Sequence, residues 1–283
     1  MRSTEQMLSL IKTVAESENC VKSAILCGSR ANENAPKDIY QDYDVVYFVS
    51  DIKPYFNNIN WLEEKFGKAI LMQTPDIIDY PELTAETAEK FTFLAIFSDG
   101  VRVDLTLTTK SPEQDAEPFL VLLDKCGMLD GIECDADYYN VKMPTQREFS
   151  NCCNEFWWCL NNVAKGLARR EIPYAKDMFD GPVRAMLNQM LSYYIGTFTD
   201  FSVSIGKAGK YLNKYLTEST YNKYLKSYSS TDPDKMWNSV INTCKLFSDV
   251  AIYTANTLGL EYNALEEKGA REYMINVKNK VYE

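Results

Sequence analysis

The feature that most constrains this 283-residue chain is the stretch from Val21 to Ser50, where two apolar runs flank a polar insert. The first run, Ala24 to Cys27, ends in Gly28-Ser29-Arg30. Twelve residues then separate Ser29 from Asp42-Tyr43-Asp44, which leads into the second run, Val45 to Val49. Short apolar runs bounded by turn residues predict strands. Side chains alternate faces along a strand, so Asp42 and Asp44 point the same way, about 6.6 Å apart at Cα. Two carboxylates on one strand face repel, and Asp is a poor strand former. A divalent cation between them resolves the conflict. Magnesium is the expected ion, because it takes one or two carboxylates and fills its shell with water and phosphate oxygens. Gly28-Ser29, placed after a strand, predicts a turn or helix whose N–H groups can hold phosphate oxygens. Singly, each half has a plainer explanation: Gly-Ser as an ordinary turn, Asp-x-Asp as a solvated loop.

Joined at this spacing, the two halves are more specific. The pattern resembles the nucleotidyltransferases of the DNA polymerase β-like superfamily, which share Gly-Ser, a spacer and then Asp-x-Asp. Arg30 can either reach a phosphate or neutralise the Asp pair.

Composition narrows the chemistry. The chain has no histidine, which removes Ser-His-Asp and Cys-His catalysis and His-ligated zinc. A metal must rely on carboxylates, and a general base must be Asp, Glu, Lys, Tyr or Cys. None of the eight cysteines forms a C-x-x-C pair, so free thiols in a reducing compartment are expected. The N-terminus is polar and acidic, with no signal-peptide pattern, and no run of ~18 apolar residues suits a membrane span; the cytoplasm is the expected location. The net charge is −10, and it is unevenly placed: residues 1–144 carry 13 Lys and Arg against 25 Asp and Glu, residues 145–283 carry 17 against 15. An acidic chain without a basic stripe is a poor ligand for nucleic acid and favours a cationic substrate.

Along the rest of the chain, Ser3-x-x-Gln6 predicts a capping box, followed by a helix with Met7, Leu8, Ile11 and Val14 at helical spacing. Phe91–Phe97 and Val101–Thr108 predict a hairpin about Ser98-Asp99-Gly100. Asp104 falls on the polar face of its second strand, either as a surface carboxylate paired with Arg102 or as a third acidic group beside Asp42 and Asp44. Phe119–Leu123 reads as a helix, and Pro144 as a domain boundary. Beyond it the period changes to 3.6, with Phe149, Cys152, Cys153, Phe156, Leu160, Val163, Ala164 and Leu167 on one stripe. Trp158 lies opposite that stripe; packing against a second helix is the favoured reading, a ligand contact the other. Pro173 is expected to end this helix and Gly181-Pro182 to start the next, with Asp180 as its cap. Gly206-Lys207-Ala208-Gly209-Lys210 is basic within an acidic chain; it suits a triphosphate tail or a helix start with solvated lysines, and it lacks P-loop spacing. Asp232-Pro233 opens a long helix that ends at Gly259. The architecture predicted is α+β: a nucleotidyltransferase domain over 1–144, a small mixed sheet flanked by helices, then a helical bundle over 145–283.

Four segments in order narrow the match: Gly28-Ser29-Arg30-Ala31-Asn32, the stretch Gln41 to Val49, the stretch Asp99 to Leu107, and Gly206 to Leu212. Together the chain resembles the aminoglycoside 6-adenylyltransferases, the streptomycin adenylyltransferases of bacteria. The resemblance implies a two-domain enzyme with its active site between the domains, ATP as donor, Mg²⁺ as cofactor and the 6-hydroxyl of streptomycin as acceptor. It implies Asp42 and Asp44 as metal ligands, Ser29 with Gly28 and Arg30 at the phosphates, and Asp104 as a further ligand or the base. Lys207 and Lys210 follow as looser matches toward the triphosphate, with Asp177 and Trp158 toward the antibiotic. Another acceptor (a different aminoglycoside, a lincosamide, a protein hydroxyl) or a non-catalytic nucleotide-binding regulator are the alternatives. The intact carboxylate set argues against the last. Oligomeric state stays open, because the amphipathic stripes can bury within one chain or across a dimer.

Overall fold

Ser3 caps the first helix, Thr4–Ser17, through the expected capping box with Gln6, and Met7, Ile11, Val14 and Ala15 are buried. In the computed structural model, which describes residues 1–280, this helix belongs to the first of two units, Met1–Tyr138 and Tyr139–Glu283. The sequence pattern puts the boundary at 144/145, six residues later.

The first unit is built on a six-stranded mixed sheet. Its strands are β1 (Val21–Cys27), β2 (Tyr43–Val49), β3 (Ala69–Gln73), β4 (Lys90–Phe97), β5 (Arg102–Thr108) and β6 (Leu120–Asp124), in the order β3-β4-β5-β2-β1-β6. Only β2 and β5 pair in parallel; the other neighbours are antiparallel. The hairpin of β4 and β5 turns at Ser98-Asp99-Gly100 as its sequence dictates, with Gly100 at φ +83°. One sheet face is sealed by the first helix and by an aromatic group in which Trp61 packs on Tyr55, Phe66 and Phe93. On the other face a much smaller cluster, Ile25, Cys27, Phe48 and Leu129, is buried. That lightly covered face carries the polar residues described below.

Phe119–Leu123 corrects the expected helix: residues 120–124 form β6, antiparallel to β1. An apolar run of five is too short to show a period, and pairing with a free sheet edge decided it.

The second unit is helical. Its long helices are Gln146–Ala168, Arg184–Thr199, Pro233–Leu258 and Ala264–Lys278. Phe156 stacks on Phe247 with ring centroids 3.6 Å apart, and the predicted stripe from Phe149 to Leu167 is buried around them. Asp232 caps the third of these helices and Gly259, in the left-handed region, ends it.

Trp158 does not pack: it is 66 % exposed, and its neighbour Trp157 takes the core place, one position round the helix and in line with Leu160 and Ala164. Pro173 does not end a helix but sits in the first turn of the next, Ile172–Met178, where its missing N–H costs nothing. Gly181-Pro182 starts no new helix either. It lies inside a five-residue π-turn, Phe179–Val183, which splices Ile172–Met178 onto Arg184–Thr199. Widening the turn accommodates the proline that would clash in an α-helix. With no helix start there, Asp180 is no cap; it pairs with Lys176 at 2.6 Å and with the buried Arg184 at 3.9 Å.

Candidate active site

The site forms where β1 ends. Gly28 takes φ +64°, and a Cβ placed on it would stand 2.1 Å from the Oδ2 of Asp44. Glycine is required twice over, by the backbone angle and by the carboxylate pressed against it. A single helical turn, Gly28–Ala31, follows. The insert that precedes β2 folds back on this turn. Gln41 donates its amide to the carbonyl and hydroxyl of Ser29 at 2.9 and 3.2 Å, and Lys37 donates to the carbonyls of Ser29, Arg30 and Asn32.

Arg30 lies against the segment that leads into β2, and its charge is among those that act against burial at the Asp42 carboxyl. Its guanidinium lies 3.8 Å over the Tyr43 ring and donates to the backbone carbonyls of Asp42 and Gln41 at 2.9 and 2.8 Å. It fixes the approach to β2, and so the direction in which Asp42 and Asp44 leave the backbone.

The three carboxylates come from two parallel strands. Asp44 is the direct register partner of Asp104, and Cys27 is the partner of Asp44 on its other side. One rung of the sheet therefore runs Cys27, Asp44, Asp104, Leu94 across four strands. Asp42 lies two residues before Asp44, on the same face. Arg102, two residues before Asp104, joins the cluster: it forks onto Asp104 at 2.7 and 2.8 Å and reaches Asp42 at 3.6 Å. Asp104 is thus paired with Arg102 and, in register, adjacent to Asp44.

The electrostatics follow from crowding. Burial, then the charges of Asp104, Asp42 and Glu117, raise the Asp44 carboxyl to about 6. Burial raises Asp42 as well, against the pull of Arg102. Burial first, then the Glu117 and Asp44 charges, push the Cys27 thiol up to about 12, so it is an inert neighbour rather than a nucleophile. Repulsion of this kind marks a place that a cation would relieve. Among the described residues, however, no three Asp, Glu, Cys or His side chains are gathered closely enough to hold a metal ion. Arg102 lies between Asp42 and Asp104 and pairs with both. The donor set itself, all hard carboxylate oxygens, is the kind magnesium takes.

Beside this edge a cavity of about 470 Å³ opens, lined in part by Arg30, Tyr40, Gln41, Asp42 and Arg102.

The remaining candidates belong to the helical unit. Lys207 and Lys210 are exposed about a short 3₁₀ turn, Lys207–Gly209, with the Lys210 ammonium 5.0 Å from the Tyr211 ring centre. Asp177 and Trp158 are exposed on their own helices. Sequence reasoning passed over Arg102 as a member of the site and missed Glu117 and Gln41. Strand alternation sets Arg102 beside Asp104 as its partner but gives it no role in a site; Glu117 and Gln41 sit in irregular chain and carry no such signal.

Comparison with known proteins agrees with this architecture. The family model for streptomycin adenylyltransferase matches residues 1–277. Aminoglycoside 6-adenylyltransferases from Bacillus subtilis and Staphylococcus aureus are 35 % and 36 % identical, over 94 % and 87 % of this chain and 95 % and 89 % of theirs. One from Campylobacter jejuni is 32 % identical over 99 % of this chain and 97 % of its own. The crystal structure of an aminoglycoside 6-adenyltransferase from Bacillus subtilis superposes with a TM-score of 0.50 at 31 % identity, covering 98 % of this chain and 99 % of that one. An α+β chain with these matches is a nucleotidyltransferase. More particularly, it belongs to the streptomycin adenylyltransferase family.

Proposed function

We propose that this enzyme transfers AMP from ATP to the 6-hydroxyl of streptomycin, releasing pyrophosphate and inactivating the antibiotic. The observation that carries the reading is the pairing of Asp44 with Asp104 in one rung, with Asp42 on the same face and Gly28 pressed against Asp44. In the reaction the acceptor oxygen bonds to the α-phosphorus as the bond to pyrophosphate breaks, and the hydroxyl proton passes to a base.

Asp42 and Asp44 are the residues to hold Mg²⁺, with Asp104 as a further ligand or as that base. When bound, the ion would supply charge neutralisation for the departing pyrophosphate. Ser29, on the turn fixed by Gln41 and Lys37, would contact the phosphates. Lys207 and Lys210 would add charge toward the triphosphate, while Asp177 and Trp158 would meet the antibiotic. Guanidinium groups on the acceptor suit an acidic protein, because carboxylates bind them in forked pairs. The cytoplasm, where ATP and a reducing environment are available, is the location that goes with this reading; no helix among the described residues is long and apolar enough to cross a membrane.

The test is pyrophosphate release from ATP and Mg²⁺ with a panel of acceptors: streptomycin, other aminoglycosides, a lincosamide. Streptomycin is expected to give the fastest release, and Asp44→Asn to abolish it without loss of fold. Turnover by Asp44→Asn at the parental rate would remove the metal assignment. Release with another acceptor but not streptomycin would leave the chemistry and change the substrate.

A further inference from the structure

Arg102 is the one cation that touches the carboxylate cluster by side-chain pairing among the ion pairs described above, and nothing in the reaction as outlined uses it. It opens β5, and strand alternation puts it on the same face as Asp104. Its Nε and one terminal nitrogen take both oxygens of Asp104, at 2.8 and 2.7 Å, and the other terminal nitrogen lies 3.6 Å from Asp42. The side chain is 44 % exposed, so it sits at the solvent rim of the cluster rather than locked beneath it.

A fork that uses both oxygens of Asp104 conflicts with metal ligation. Magnesium demands short bonds in a near-octahedral shell, and Asp104 and Asp42 cannot meet that demand while both face a guanidinium. The guanidinium and the metal are therefore alternatives at one place. An exposed arginine has several rotatable bonds and open water beside it, so release needs no backbone movement.

We propose that Arg102 is a resident counter-ion that competes with the divalent metal for Asp104 and Asp42, keeping free metal weakly bound until the nucleotide arrives. This rests on the assignment of these carboxylates to the metal. Two phosphate oxygens offer the displaced planar guanidinium a forked partner in place of the carboxylate it leaves. Metal bound to nucleotide thus pulls the fork open from both sides, whereas metal alone pulls from one. The chain gains a device that couples metal entry to ATP entry.

The experiment measures Mn²⁺ binding by electron paramagnetic resonance, without nucleotide, in the parent, Arg102→Gln, Arg102→Lys and Asp44→Asn. Loss of one competing charge predicts that Arg102→Gln binds Mn²⁺ about tenfold tighter than the parent. Arg102→Lys, which keeps the charge, should stay near the parental affinity. A merely structural arginine would give unchanged or weaker metal binding on removal, and that result overturns the proposal. Asp44→Asn separates the two ways of failing. If it binds Mn²⁺ as the parent does, the ion sits elsewhere, and the metal assignment falls together with the competition. If it loses the ion while Arg102→Gln matches the parent, the assignment stands and only the competition is wrong.

Discussion

At the scale of single residues, the site depends on a contact that has no slack. Gly28 and Asp44 meet so closely that one added carbon would overlap a carboxylate oxygen. Gly28→Ala must therefore displace Asp44 and strain a backbone held at φ +64°. Strain of that kind costs about 1–3 kcal/mol. A misplacement near 1 Å in the reacting groups costs turnover about 100-fold. Urea denaturation and pyrophosphate release should show both losses together. Parental turnover in Gly28→Ala would mean that the close approach has no part in catalysis. This glycine and the two aspartates were legible in the sequence, because φ and strand alternation act locally. Arg30 was not: its use on the carbonyls of Gln41 and Asp42 depends on how the insert folds back, which no spacing encodes.

At the scale of elements, β6 shows how an edge is held. Asp124 ends it. Its carboxylate accepts from the Ser23 hydroxyl at 2.7 Å and from the backbone N–H groups of Leu129, Cys126 and Met128 at 2.9–3.3 Å. The Ser23 bond, then those backbone donors, hold the carboxyl down to about 2 against the cost of burial. Because the folded state favours the charged form, this stabilisation is complete above the usual carboxylate value. It is lost as pH falls from about 4 toward 2. Asp124→Asn should lower stability at pH 7 by about 1 kcal/mol, after allowance for solvent screening. Urea titrations at pH 7 and pH 3 should show the gap narrowing; a gap that stays constant would assign the effect to packing. The hairpin of β4 and β5, the capped first helix and the long helices were readable because each carries its own signal: an Asp-Gly turn, a capping box, a sustained apolar repeat of period 3.6. β6 and the π-turn at Phe179–Val183 were not, since each is chosen by what the rest of the chain leaves open: a sheet edge in one case, two helices to be spliced in the other.

At the scale of the whole molecule, family membership covers residues 1–277, so both units belong to the match. The acidic balance sits mainly in the first 144 residues, where the carboxylate rung lies. A protein of this charge gains from a cationic acceptor and a neutralising metal alike. The central claim is that Asp42 and Asp44 hold the metal beneath the nucleotide, with Asp104 beside it as a further ligand or as the base. Its most direct test is a crystal grown with Mn²⁺ and a non-hydrolysable ATP analogue, with the ion located by anomalous scattering. The account predicts a Mn²⁺ peak bonded to Asp42 and Asp44, with Asp104 beside it and Arg102 turned away. A nucleotide-bound crystal with no anomalous peak at these carboxylates, and Arg102 still forked onto Asp104, would contradict it.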